Sequence, residues 1–164
     1  ADVYKRQAEG RTVRDVLDEV YVEHGYFCEL QKSVTRTGAS GNQDIQTIMH
    51  TLRQDPPDDI GGYPVVRVMD RQDGSCRHLP TGRTEAIKGD KGNVLAFTLS
   101  DAGHTRVTAR PSGTEPKIKY YVSASSRDIE GATHDNLEET KEAVDAAAHR
   151  ILNAMAQLAE SAVA

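Results

Sequence analysis

The sequence predicts an α+β fold, an antiparallel sheet with helices packed on one face. Three observations carry this. Residues 94–99 and 105–110 are strand-like runs on either side of Ser100-Asp101-Ala102-Gly103, a hairpin-type connection. Ile118, Tyr120 and Val122 alternate with Lys117, Lys119 and Tyr121, which is the period of a half-buried strand. Residues 43–54 and 136–160 instead repeat apolar residues every three or four positions, the period of amphipathic helices. Strands joined by tight turns, with helices collected on one side, make an α+β arrangement.

The other elements follow in chain order. A polar stretch at residues 5–10 precedes a helix over 12–24, where Val13, Val16, Leu17, Val20 and Tyr21 share a face. Thr12 can cap its start and Gly25 can take the left-handed stop. Residues 26–31 read as a strand, and 33–42 as an extended edge followed by a loop. The helix over 43–54 presents Ile45, Ile48, Met49 and Leu52, and Pro56-Pro57 ends it because proline cannot donate to the helical ladder. Gly61-Gly62 and Asp73-Gly74 are turns around a short strand at 65–69. Residues 76–93 show no periodicity and read as a long loop with at most one short strand. In the last helix Val144, Ala148, Ile151, Met155 and Leu158 form an alanine-rich stripe suited to packing across a sheet, and Asp135 with Glu138 suggests a capping box at its start.

Bulk properties narrow the function. A formal net charge of −5 argues against holding a nucleic-acid backbone, which needs Lys and Arg to neutralise phosphates. No apolar run approaches the roughly 20 residues that span a bilayer. Residues 1–6 lack the order of a signal peptide, and the chain begins with Ala1 rather than Met, as expected equally of a piece of a longer protein and of a processed or trimmed N-terminus. Cys28 and Cys76 have no metal-type spacing and suit small core residues in a reducing cytoplasm. His24, His50, His78, His104, His134 and His149 are scattered without ligand spacing, and His104 falls in a hairpin turn where surface residence is expected. Asp55, Asp58 and Asp59 flank the two prolines as a solvated turn rather than a hard-cation cage. No catalytic residue and no metal ligand is assigned.

One segment carries chemistry: Arg110-Pro111-Ser112-Gly113-Thr114-Glu115-Pro116. Arg110 offers a planar, permanently charged fork to two phosphate oxygens. Ser112 and Thr114 supply hydroxyl donors, and Gly113 can take positive φ so that successive N–H groups converge on an anion. Pro111 and Pro116 stiffen both ends, and Lys117 and Lys119 follow on one face of the next strand. By residue chemistry alone, the segment suits an ordinary tight turn equally well. It lacks the Gly-Lys-Ser/Thr ending of a nucleotide-binding P-loop.

The string from Arg110 to Tyr121 closely resembles the C-terminal phosphate-binding loop of the α-D-phosphohexomutases, the phosphoglucomutase/phosphomannomutase superfamily, and most of all its phosphoglucomutase branch. Asn93-Val94-Leu95-Ala96-Phe97-Thr98-Leu99, Leu52-Arg53-Gln54-Asp55-Pro56-Pro57 and residues 13–26 resemble the same family, while 76–91 and the last residues match poorly. The resemblance implies a C-terminal domain similar to the TATA-binding-protein fold, within a four-domain enzyme built around one cleft. Residues 1–25 would then be helix and linker from the end of the preceding domain, and 26–164 the phosphate-binding domain. It implies Arg110, Ser112, Gly113 and Thr114 as ligands of the phosphate that is not being transferred, with Lys119 and Lys117 adding charge and Glu115 holding the loop's shape. The parent enzyme would interconvert hexose 1-phosphate and hexose 6-phosphate through a hexose 1,6-bisphosphate, with Mg²⁺. The family's phosphoserine, metal-binding aspartates and sugar-reading glutamate have no match here, so this chain is expected to bind a phosphosugar without catalysing and without a cofactor of its own. Its expected partners are the phosphosugar and the remaining mutase domains. The alternative is a stand-alone phosphosugar-binding module.

Overall fold

The computed structural model describes residues 10–163. The polar stretch at 5–10 lies outside these except for Gly10, as do the residues weighed for a signal peptide. Helix α1 is Val13–His24, strand β1 is Phe27–Thr35 and helix α2 is Gly41–Gln54. The short strands β2 (Asp59–Ile60) and β3 (Tyr63–Pro64) form a two-stranded hairpin of their own. Then come β4 (Arg67–Asp70), β5 (Ser75–His78), a 3₁₀ turn (Leu79–Thr81), β6 (Thr84–Ala86), β7 (Leu95–Thr98), β8 (Arg106–Pro111) and β9 (Lys117–Ser125). The single-turn helix α3 (Ser126–Ile129) leads to the long α4 (Leu137–Ser161).

Seven strands form one antiparallel sheet in the order β1-β9-β8-β7-β4-β5-β6. Alternation sets its two faces. Ile118, Tyr120, Val122 and Ala124 of β9 are buried, with Val107 and Ala109 of β8 and Leu95 and Phe97 of β7 beside them. Helices α2 and α4 cover this face, contributing Ile45, Ile48, Met49 and Leu52 from one and Val144, Ala148, Ile151 and Met155 from the other. The opposite face, carrying Arg106, Thr108, Tyr121 and Met69, has no helix over it among the described residues. The fold is the expected α+β class.

The clearest departure lies in residues 76–93. Two strands and a 3₁₀ turn stand where a loop was expected, because β5 is half-buried throughout and β6 is exposed throughout. With no dry face there is no alternation to read, and the strands are defined only by their pairing to β4 and to each other. Gly82, at φ 68°, makes the turn between them. The capping box expected at the last helix is also absent. Asn136 is the N-cap, but its side-chain oxygen accepts from the backbone N–H and hydroxyl of Thr133, while Glu138 pairs with Lys141 and Arg14. β1 runs on to Thr35, past the expected end, because every residue from Phe27 to Thr35 finds a partner on β9. Cys76 lies half-buried on the uncovered face instead of in the core.

α1 begins with the predicted cap. Thr12 Oγ1 accepts from Asp15 N at 3.1 Å, Asp15 returns a bond to Thr12 N at 2.7 Å, and Gly25 closes the helix at φ 93°. Its polar side meets α4 through Arg14–Glu138 and Lys141–Asp18, yet Val13, Leu17 and Val20 stand 57, 44 and 43% exposed. The predicted stripe is there, and its Tyr21 packs edge-on against Tyr26 and under the Lys141 ammonium, but Val13, Leu17 and Val20 are left largely open.

The β7–β8 turn is stapled by Asp128, whose side chain is 3% exposed. Its carboxylate accepts from Ser100 Oγ (2.7 Å) and Thr105 N (2.5 Å) and faces His104 Nδ1 at 3.0 Å, so His104 is engaged rather than merely solvated. Burial works to raise the Asp128 pKa, but the bonds from Ser100, His104 and Thr105 prevail and hold it below the ordinary value. Asp128→Ala is expected to cost about 2–4 kcal/mol in urea unfolding, since it strands buried donors. A folded-state pKa that is depressed stabilises above the unfolded value of about 3.9. Wild-type stability from this group should therefore be lost as pH falls through and below that value, and the alanine variant should lack this component of the acid dependence.

Candidate functional site

β8 and β9 pair directly up to the loop. Ala109 faces Tyr120, Arg110 faces Lys119 and Pro111 faces Ile118. Ala109 and Tyr120 point into the core, so Arg110 and Lys119 leave their strands on the opposite side, and at this end of the sheet Arg110 also borders the space in front of α2. Like charges placed directly opposite destabilise a sheet. Arg110 is exposed, and its side chain has no hydrogen bond or ion pair among the described residues. The sequence therefore places two cations side by side at the mouth of the loop, neither in an ion pair among the described residues, with the Glu115 carboxylate acting on Lys119 only at longer range.

The loop itself is closed by Ser112 N donating to Lys117 O at 2.8 Å and Lys117 N to Glu115 O at 2.7 Å. Ser112 Oγ accepts from the backbone N–H groups of Thr114 (3.4 Å) and Glu115 (3.3 Å), which leaves its own proton to donate outward. This differs from the expected anion nest, because those two amides turn onto Ser112. Gly113 also departs from expectation. It is not among the glycines with positive φ, and a Cβ there would meet nothing within 4 Å. Its contribution is open space beside the loop rather than a left-handed turn. Lys117 is committed locally, with its ammonium 2.6 Å from Glu115, and this hydrogen bond holds the Glu115 carboxyl below its ordinary pKa. Glu115 thus braces the loop and offsets Lys117, while Lys119 has no ion pair among the described residues.

A second layer fixes the loop's far end. Arg36 N donates to Pro116 O at 2.8 Å, and the Arg36 guanidinium meets Glu160 of α4 at 2.7 Å. Gly41 opens α2 against the same point. A Cβ there would lie 2.4 Å from the Arg36 carbonyl oxygen and 3.2 Å from the Pro116 Cβ, so only glycine allows this approach. The N-terminal end of α2, with the positive end of its dipole, is thereby seated beside the loop.

Between these walls lies a cavity of about 480 Å³ lined by Asn42 and Gln46 of α2, Asn93, Arg110, Ser112 and Gly113. The structure thus brings Arg110, Ser112 and Gly113 to one cavity, with Lys119 at the base of the loop beside Arg110; Thr114 is exposed at the tip. Asn42, Gln46 and Asn93 were not singled out from the sequence. Their placement depends on α2 and the β7 lead-in meeting the loop, and no local pattern announces that. Among the described residues, no group of three or more His, Cys, Asp and Glu is arranged to hold a metal ion. Asp59, in the acidic cluster after the prolines, accepts from Gly62 N at 2.8 Å as a turn residue does.

The profile of the family described as phosphoglucomutase/phosphomannomutase, C-terminal domain, matches residues 65–157. A phosphoglucomutase of Staphylococcus aureus strain MSSA476 is 36% identical over 121 residues, covering 74% of this chain and 21% of that protein. The phosphoglucomutase of Staphylococcus haemolyticus is 32% identical over 127 residues, covering 77% and 23%. The open-form crystal structure of pp63/parafusin, an exocytosis-sensitive phosphoprotein and phosphoglucomutase from Paramecium, superposes with a TM-score of 0.51 at 13% identity, covering 91% of this chain and 23% of that one. The chain therefore spans about a fifth of the length of these relatives. No helix among the described residues is long and apolar enough to cross a membrane. By the matched profile and these relatives, the chain belongs to the phosphoglucomutase/phosphomannomutase family, as its C-terminal domain.

Proposed function

We propose that the loop from Arg110 to Lys119 grips a phosphate of a phosphosugar on behalf of a phosphoglucomutase or phosphomannomutase. The observation that carries this is the directly opposed Arg110 and Lys119, an arrangement that is unfavourable until an anion sits over it. Arg110 would take two phosphate oxygens, Ser112 and Thr114 would donate hydroxyl protons, and Gly113 leaves room for the ligand. Lys119 adds charge directly, and Lys117 acts mainly through Glu115.

In the parent enzyme the held phosphate would be the one not transferred. Phosphoryl transfer depends chiefly on positioning and charge stabilisation. A loop that accepts either phosphate of a hexose 1,6-bisphosphate serves both half-reactions, because the intermediate presents opposite ends in turn. Mg²⁺ would belong to that parent chemistry; among the described residues no group of three or more His, Cys, Asp and Glu is arranged to hold it. Residues 1–25 would be helix and linker from the preceding domain, with the exposed Val13, Leu17 and Val20 awaiting neighbours, and 26–164 the phosphate-binding domain. The partners would be the phosphosugar and the remaining mutase domains, not nucleic acid or membrane, in the cytoplasm. A stand-alone binding module is the less favoured reading, since the relatives that match are several times longer.

Charge-assisted hydrogen bonds worth about 1.5–3 kcal/mol each, less the cost of association, place the expected affinity of the isolated chain near millimolar. Titrating the chain with glucose 1-phosphate should move the backbone amide resonances of residues 112–114. Silence at tens of millimolar, an order set by that estimate, would overturn the reading. The same chain should show no turnover in a coupled glucose 1-phosphate isomerisation assay, and measurable turnover would defeat the claim that it binds without catalysing.

A further inference from the structure

One wall of the cavity is held from behind by a chain of polar contacts that the loop motif does not include. Asp70, 5% exposed, takes Arg53 Nε at 2.5 Å and the backbone N–H of Gln72 at 2.8 Å. Arg53 Nη1 also donates to the Met49 carbonyl at 3.3 Å, and Arg53 Nη2 reaches Asn93 Oδ1 at 2.9 Å. A guanidinium can only donate, so the face of the Asn93 amide turned to Arg53 must be its oxygen. The NH₂ group then points the other way, and no described residue accepts from it. Asn93 lines the same cavity as Arg110, Ser112 and Gly113. The residues on either side of it are pinned as well, with Gly92 N on Arg71 O (3.2 Å), Val94 N on Gly92 O (2.8 Å) and Arg71 N on Val94 O (3.0 Å).

We propose that Asn93 is a further ligand of the phosphosugar, a neutral N–H donor to a phosphate or sugar oxygen, with Arg53 and Asp70 as positioning residues that fix its orientation before the ligand arrives. This rests on the reading of the loop as a phosphate site. A donor whose rotamer and flip state are already set loses little freedom on binding. The oxygen acceptor is its natural counterpart, since the amide carries no charge to complement anything else.

The competing role for Asn93 is structural, as an acceptor for Arg53 alone. Asn93→Asp separates the two. A carboxylate keeps the acceptor and strengthens the contact to Arg53, but it has no N–H to offer. The variant is expected to unfold at an unchanged or higher temperature while its affinity for inorganic phosphate and glucose 1-phosphate falls about tenfold or more. Gln46→Glu puts the same change of charge on the facing wall. An equal loss in both variants would assign the effect to charge alone and overturn the proposal. The direct readout is the Asn93 side-chain NH₂ resonance of the wild-type chain, which should move during both titrations. If the amides of 112–114 move and the Asn93 side chain does not, the proposal fails and the phosphate site stands. If neither moves, both fall.

Discussion

Arg110→Ala is expected to abolish detectable binding of glucose 1-phosphate, a loss of about 100-fold or more. The forked guanidinium is the one side chain here able to make two parallel charged bonds to a phosphate, each worth about 1.5–3 kcal/mol. Arg110→Lys keeps the charge without the fork and should lose about tenfold. Stability should move the other way. Arg110 has no partner among the described residues and faces Lys119 across the strand pair, so the alanine variant should be as stable as wild type or slightly more so. Titration and urea unfolding of the same samples check both halves. Unchanged affinity would remove the loop from the binding site, and a large loss of stability would show that Arg110 is a structural residue.

Phe97→Ala is expected to have the largest effect on folding, about 3–5 kcal/mol by urea unfolding. Phe97 is fully buried on β7, between Val68 of β4 and Val107 of β8, beneath the helix layer. Domains of this size have about 5–15 kcal/mol in total, so the variant should be close to its limit at room temperature. A cost below about 1 kcal/mol would mean that the space collapses on the alanine, contrary to the close packing of this layer. Together the two variants separate the site from its scaffold, one losing binding with the fold intact and the other the reverse.

How far the sequence speaks depends on whether a residue's partners are local. β7, β8 and β9 were legible because one face of each is dry, and alternation reports that directly. β5 and β6 were not, because uniformly half-buried or uniformly exposed side chains carry no period and the pairing that makes them strands is invisible along the chain. The stripe of α1 announced a helix correctly, but Val13, Leu17 and Val20 say only that the face is apolar, not what lies against it. At the site, Arg110 to Lys119 could be read because its groups are contiguous. Asn93 could not, since its role comes from Arg53 and Asp70 on two other elements. Gly41 likewise looks like any helix-start glycine until Pro116 is found against it.

The pairing of β1 with β9 also bears on how the chain is made. Phe27 meets Ser125 and Thr35 meets Lys117, so β1 must wait for a partner roughly 90 residues downstream, a closure whose entropic cost delays assembly. On a ribosome, β1 and α2 would emerge before β9, with Ile45, Ile48, Met49 and Leu52 presenting an apolar surface and β9 not yet there to pack on it. The phosphate loop lies immediately before β9, and its far end is tied to Arg36 just beyond β1. Closing the sheet and finishing the binding site are therefore one event, which waits for β9. A half-made chain would have neither.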